Sequence, residues 1–126
     1  MFAAIGAFLA YLGVAAALLA AFIFIYARAT PYREFALIEH DNNAVAITFA
    51  GAVLGFTAPL VASIYYTGSL AEMCLWAAIT CVVQLLVLVV LRRQARRVEA
   101  GHVASAIVVA SISLAVGLLN AASISH

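Results

Sequence analysis

The chain has 126 residues, of which 68% are hydrophobic and 9% charged, with a net charge of +1. A soluble domain carries roughly 25% charged residues, so a fully water-facing surface is excluded and most of the exterior must meet lipid. The six basic residues are all arginine and sit in two short clusters, too narrow a footprint for nucleic acid.

The first apolar run extends from about Ala3 to Ala27. It carries no charge, and the first cation, Arg28, follows it. A secretory signal places positive charge ahead of its apolar core, so this run reads as a retained helix. Gly6, Ala10, Gly13 and Ala17 lie along one face of it. The segment from Arg28 to Asn42 holds Arg28, Arg33, Glu34, Glu39 and Asp41. Thr30-Pro31 has the form of a helix cap followed by proline in the first turn, and Tyr32, Phe35 and Ile38 follow at helical spacing. These features predict a short amphipathic helix at the membrane surface.

The second run spans about Asn43 to Tyr66, with Asp41 and Asn42 placed to cap it. Gly51 and Gly55 extend through Ala44, Thr48, Ala58 and Ala62 into a face of small residues, which lets helices approach closely in lipid. Pro59 removes the hydrogen bond to the Gly55 carbonyl. Thr67-Gly68-Ser69 is a tight uncharged turn, so the second and third runs form an antiparallel hairpin.

The third run, about Leu70 to Leu91, opens with Glu72 and contains Cys74, Cys81 and Gln84. The two cysteines share one stripe of one helix and read as small apolar fillers. From Arg92 to Gly101, Arg92, Arg93, Arg96, Arg97 and Glu99 are predicted to prolong this helix by a turn or two beyond the lipid. The fourth run, about His102 to Ser125, contains Gly117 and Asn120. Gln84 and Asn120 are the strongest polar groups inside the spans and need hydrogen-bond partners there. At 1.5 Å per residue, Asn120 lies roughly 10 Å to the outer side of the bilayer centre. Gln84 lies nearer the level of Ser111 and Ser113.

Each run is long enough to cross a bilayer core, which takes about 20 residues, and in lipid only a helix or a closed barrel satisfies the backbone. The expected fold is therefore an all-α membrane protein, residues 1–126 forming a single domain of four transmembrane helices. All six arginines lie in the two charged loops, and none lies at Gly68 or either terminus. The positive-inside rule then places both loops in the cytoplasm and both chain ends outside. Tyr65, Tyr66 and Trp76 fit an aromatic belt at the opposite face.

A shift of 60 residues aligns Glu39 with Glu99, Ala46-Ile47 with Ala106-Ile107, Leu54 with Leu114, and Ala62-Ser63-Ile64 with Ala122-Ser123-Ile124. The chain reads as two tandem helix-loop-helix repeats, about 1–66 and 70–126, in the same orientation.

Thr30-Pro31-Tyr32, Leu37-Ile38, Asn42-Asn43-Ala44-Val45-Ala46, Gly51, Leu54-Gly55 and Pro59-Leu60 form a pattern. It continues in Gln84-Leu85-Leu86-Val87 and in Gly117 with Asn120-Ala121-Ala122. In these motifs the chain resembles the small bacterial inner-membrane family known as domain of unknown function 350, over nearly its whole length. The resemblance implies a four-span inner-membrane protein with no assigned activity. Family members repeat an Asn-x-Ala pattern at the start of the last helix, whereas this chain has His102-Val103-Ala104. Relatives are often encoded beside membrane-stress proteins of the phage-shock type, which points to a cytoplasmic partner of that kind.

No catalytic or metal-ligating constellation stands in the sequence, and no charged residue lies deep in a span. An enzyme and a bound cofactor are not expected. Two readings remain: a membrane scaffold or interaction protein, or a subunit of an oligomeric pore or small transporter built by homo-oligomerisation. The positions on which either would turn are Asn42, Gly51, Gly55, Pro59, Gln84, His102, Gly117 and Asn120.

Overall fold

Apolar length sets the architecture. The computed structural model describes residues 2–30 and 34–124, and every element within them is helical. The order is α1 (Phe2–Ala29), α2 (Glu34–Glu39), α3 (Asn43–Thr67), α4 (Leu70–Val90), α5 (Arg92–Glu99) and α6 (Val103–Ile124). Helices α1, α3, α4 and α6 have 28, 25, 21 and 22 residues and are apolar enough to cross a membrane. At a rise of about 1.5 Å per residue each covers about 30 Å or more.

The helix ends follow from local chemistry. Asn42 caps α3, its side chain accepting from the Val45 N–H at 3.2 Å. Gly68 ends that helix at φ 60°, a left-handed conformation that glycine adopts without penalty. Ser69 then caps α4 by accepting from the Glu72 N–H at 3.4 Å. The expected prolongation of the third span is instead a separate helix. Leu91, at φ −96° and ψ 23°, interrupts the regular backbone between α4 and α5. The turn keeps Leu91 N–H on the Val87 carbonyl and Ala95 N–H on the Leu91 carbonyl. It lets α5 lay Ala95 and Val98 against the bundle while all four of its arginines stay exposed.

Helix α3 is the centre of the molecule. Half of its most apolar window is buried, against 6% for α1. Its most extensive interface is with α6, followed by that with α4. Helix α1 leans on the outside of this core through three levels of contact. Tyr26 faces Phe49 with ring centroids 6.4 Å apart, Phe22 stacks on Phe56 at 4.3 Å, and the Tyr11 hydroxyl donates to the Gly68 carbonyl. These levels run in opposite directions along the two chains, so α1 and α3 are antiparallel.

Between the spans, α2 sets Phe35 edge-on to Phe49 at 5.5 Å and half-buries Leu37 and Ile38. Of the segment expected to open this helix, Pro31, Tyr32 and Arg33 lie outside the described residues. The Thr30 hydroxyl donates to the Ala27 carbonyl at 3.1 Å.

The two loops close with the same backbone pattern. His40, Asp41, Asn42 and Ala46 donate to Ala36, Ile38, Leu37 and Asn42. Sixty residues on, Ala100, Gly101, His102 and Ala106 donate to Arg96, Val98, Arg97 and His102. Asp41 and Gly101 occupy the matching position and both have positive φ, 61° and 94°.

Candidate functional site

The interior is built around the contact of α3 with α6. A Cβ added to Gly51 would sit 2.5 Å from both Cα and Cβ of Ala110. One added to Gly55 would run into the Ser113 carbonyl oxygen, and one added to Gly117 would run into the Gly55 carbonyl and lie 2.5 Å from its Cα. Pro59 sits buried inside α3 and has no N–H to offer the Gly55 carbonyl. That carbonyl is therefore the one against which Gly117 closes, an arrangement suited to a Cα–H···O contact. Gly51, Gly55, Pro59 and Gly117 thus belong to one intramolecular seam. The similar stripe on α1 does not take part, since nothing lies within 4 Å of a Cβ built on Gly6 or Gly13.

Beside this seam lie the buried polar groups. Gln84 is 1% exposed, and its Nε2 donates to the Ser113 carbonyl at 3.1 Å. One turn away on the same face of α4, the buried Thr80 hydroxyl accepts from Asn120 Nδ2 at 2.8 Å and donates to the Trp76 carbonyl at 2.7 Å. Gln84 and Asn120 therefore tie α4 to α6 at successive levels without meeting each other. Gln84 Oε1 and the Thr48 hydroxyl are buried without a partner. Thr48 lacks the back-bond to the preceding turn that Thr57, Thr67 and Thr80 make.

Nothing in the sequence singled out Thr80. The only hint was its position four residues before Gln84, which puts both on one stripe.

Asn42 does two things at the loop end of the bundle. Besides capping α3, its Nδ2 donates to the Glu99 carbonyl at 3.1 Å and so joins the two charged loops. His102, at the matching position, is exposed and begins α6 through its backbone. The exposed charges nearby are Arg92, Arg93, Arg96 and Arg97 on α5 and the acidic Glu39, Asp41 and Glu99, with Arg28 lying over the Phe24 ring at 4.8 Å. A groove of about 250 Å³ opens between α1, α4 and α5, lined by Ala29, Leu85, Leu88, Val89, Arg92 and Ala95. Two further grooves, one between α4 and α6 and one between α1 and α3, are almost wholly apolar.

Four apolar helices locked by small residues and by amide hydrogen bonds between helices define a multi-pass helical membrane protein. The chain belongs to the family described as Domain of Unknown Function (DUF350), whose model matches residues 1–124. It is 32% identical over 120 residues to the UPF0719 inner membrane protein YjfL of Escherichia coli strain K12, spanning 92% of this chain and 91% of that protein. The protein of the same name from Escherichia coli O157:H7 matches to the same extent. No solved structure matches the chain. With its four spans, the chain is a multi-pass inner-membrane protein.

Proposed function

We propose that this protein is a membrane-embedded interaction module whose arginine-bearing end faces the cytoplasm and holds a soluble partner with an acidic surface. The observation that carries this is the segregation of its polar groups. The strongest polar side chains within the spans are turned inward, Gln84 and Asn120 being bonded across the α4–α6 contact. Four exposed arginines gather on α5 at one end, where Glu39, Asp41 and Glu99 are exposed too. A membrane-stress protein of the kind encoded beside relatives of this family fits as the partner. The same reading takes the chain as two copies of one unit, supported by the matched backbone pattern of the two loops. It also places α2 at the membrane surface, which its exposed Phe35 favours.

Arg93 points farthest from the bundle, because Ala95 and Val98 define the inward stripe of α5, and Arg96 and Arg97 flank it on either side. A photo-crosslinking residue at position 97 in cells is expected to capture a soluble protein. Capture should be lost when Arg93→Glu is added, and no capture is expected at position 119, on the apolar exterior of α6. An unchanged crosslink with Arg93→Glu would remove the electrostatic basis of the proposal.

The competing reading, a pore, is tested at Gln84. Gln84→Leu removes one donor bond and one unpartnered acceptor together, so a cost of about 1 kcal/mol or less is expected in detergent unfolding. Gln84→Cys, with Cys74→Ala and Cys81→Ala, is expected not to react with a membrane-impermeant thiol reagent. Rapid reaction would mean that water reaches the middle of the bundle and would favour the pore.

A further inference from the structure

The groove beneath α5 combines a greasy floor with one cation at its mouth. Leu85, Leu88 and Val89 belong to the last two turns of α4, Ala29 ends α1, and Ala95 comes from the buried stripe of α5. Arg92 is the charged member of the lining, and it is exposed. From Leu85 to Arg92 the chain climbs about 10 Å at helical rise. That depth takes in a phospholipid's phosphate, its glycerol and the upper part of an acyl chain. No ion pair engages Arg92 or Arg96 among the described residues, so both guanidinium groups are free for an anion. Arg96 stands one turn further along, on the same side of α5 as Arg92.

We propose that this groove binds one anionic phospholipid of the adjacent leaflet. Its phosphate rests on Arg92, with Arg96 beside it, and an acyl chain lies along Leu85, Leu88 and Val89. An anionic lipid is favoured over an acidic protein segment because the floor is apolar and lies within the span, where a peptide backbone would be left without hydrogen bonds. A planar guanidinium matches phosphate in geometry as well as charge. The groove itself is lined by Arg92 and the partner face rests on Arg93 and Arg97, so the two sites use different arginines.

The test is native mass spectrometry of the purified protein titrated with phosphatidylglycerol and, separately, phosphatidylcholine. One phosphatidylglycerol is expected to be retained in preference to phosphatidylcholine. Arg92→Gln should weaken that binding about fivefold, the worth of one cation at an anionic lipid surface. Arg93→Gln makes the same change in charge but lies about 100° around the helix, and should leave binding of that first lipid unaltered. Ala29→Trp fills the groove from an exposed position without changing charge, and should displace the lipid. Equal weakening by Arg92→Gln and Arg93→Gln would overturn the proposal, because a diffuse field would explain both. So would equal retention of the two lipids, or a dimer with no lipid retained that Ala29→Trp dissolves. Loss of the crosslink at position 97 with lipid binding intact would count against the partner and leave the lipid site standing.

Discussion

Gly117→Leu is expected to leave little or no folded protein after detergent extraction. The position has no room for even a methyl group, since a Cβ there would overlap the Gly55 backbone and not a movable side chain. Helices α3 and α6 would have to separate along their whole seam, and that interface is the largest in the molecule. Overpacking in a close-packed interior commonly costs about 1–3 kcal/mol, and here the displaced atoms are main chain. The move also breaks the hydrogen bond from Gln84 to Ser113, because the Ser113 carbonyl lies in the same seam. Size-exclusion profiles and thermal midpoints in detergent report the effect. Gly13→Leu, on the open face of α1, serves as the control and should behave as the parent. A Gly117→Leu protein with the parent midpoint would mean that α3 and α6 do not touch there.

Neutralising Arg92, Arg93, Arg96 and Arg97 together to glutamine is expected to produce a mixture of orientations. The loop containing them holds four of the six arginines, and orientation responds to arginine and lysine in short loops near span ends. Arg28 and Arg33 remain and still favour the original insertion of the first half, so mixing and not full inversion is the expected result. Leu70→Cys, at the turn between α3 and α4, and Glu99→Cys report the two sides in a background carrying Cys74→Ala and Cys81→Ala. In the parent, impermeant maleimide added to intact spheroplasts should label position 70, and position 99 only after permeabilisation. In the quadruple variant both should label partially without permeabilisation. Parent labelling at position 99 alone would reverse the orientation proposed for the whole chain.

The spans and turns were legible because they rest on local physics. Apolar length placed the four long helices to within a few residues, and Asn42, Gly68 and Ser69 marked ends that the structure places there. Beyond the α3–α4 hairpin, which the Gly68 turn announced, the pairing of helices was not legible, for a definite reason. A small-residue stripe grants permission for close approach but carries no address. Gly6-Ala10-Gly13-Ala17 and Gly51-Gly55 look alike in sequence, yet only the second meets another backbone. Gln84 and Asn120 plainly needed partners, but those turned out to be a main-chain carbonyl and a threonine hydroxyl. Threonine is common enough in membrane helices that Thr80 did not stand out. The break at Leu91 was equally hidden, since leucine favours helix and the interruption serves the placement of α5 against its neighbours.

The closure of Gly55 on Gly117 also bears on how the molecule is made. The two residues are 62 positions apart, and the ribosome delivers them in that order. Helix α3 therefore enters the bilayer with its glycine face uncovered, while α4 and α5 are still being synthesised. The hairpin of α3 and α4 can form early, but the central seam must wait for α6. A nascent chain halted after α5 would present lipid, or a neighbouring chain, with the groove that α6 is shaped to fill. Assembly of this protein thus turns on the arrival of α6, which closes the seam that α3 opens.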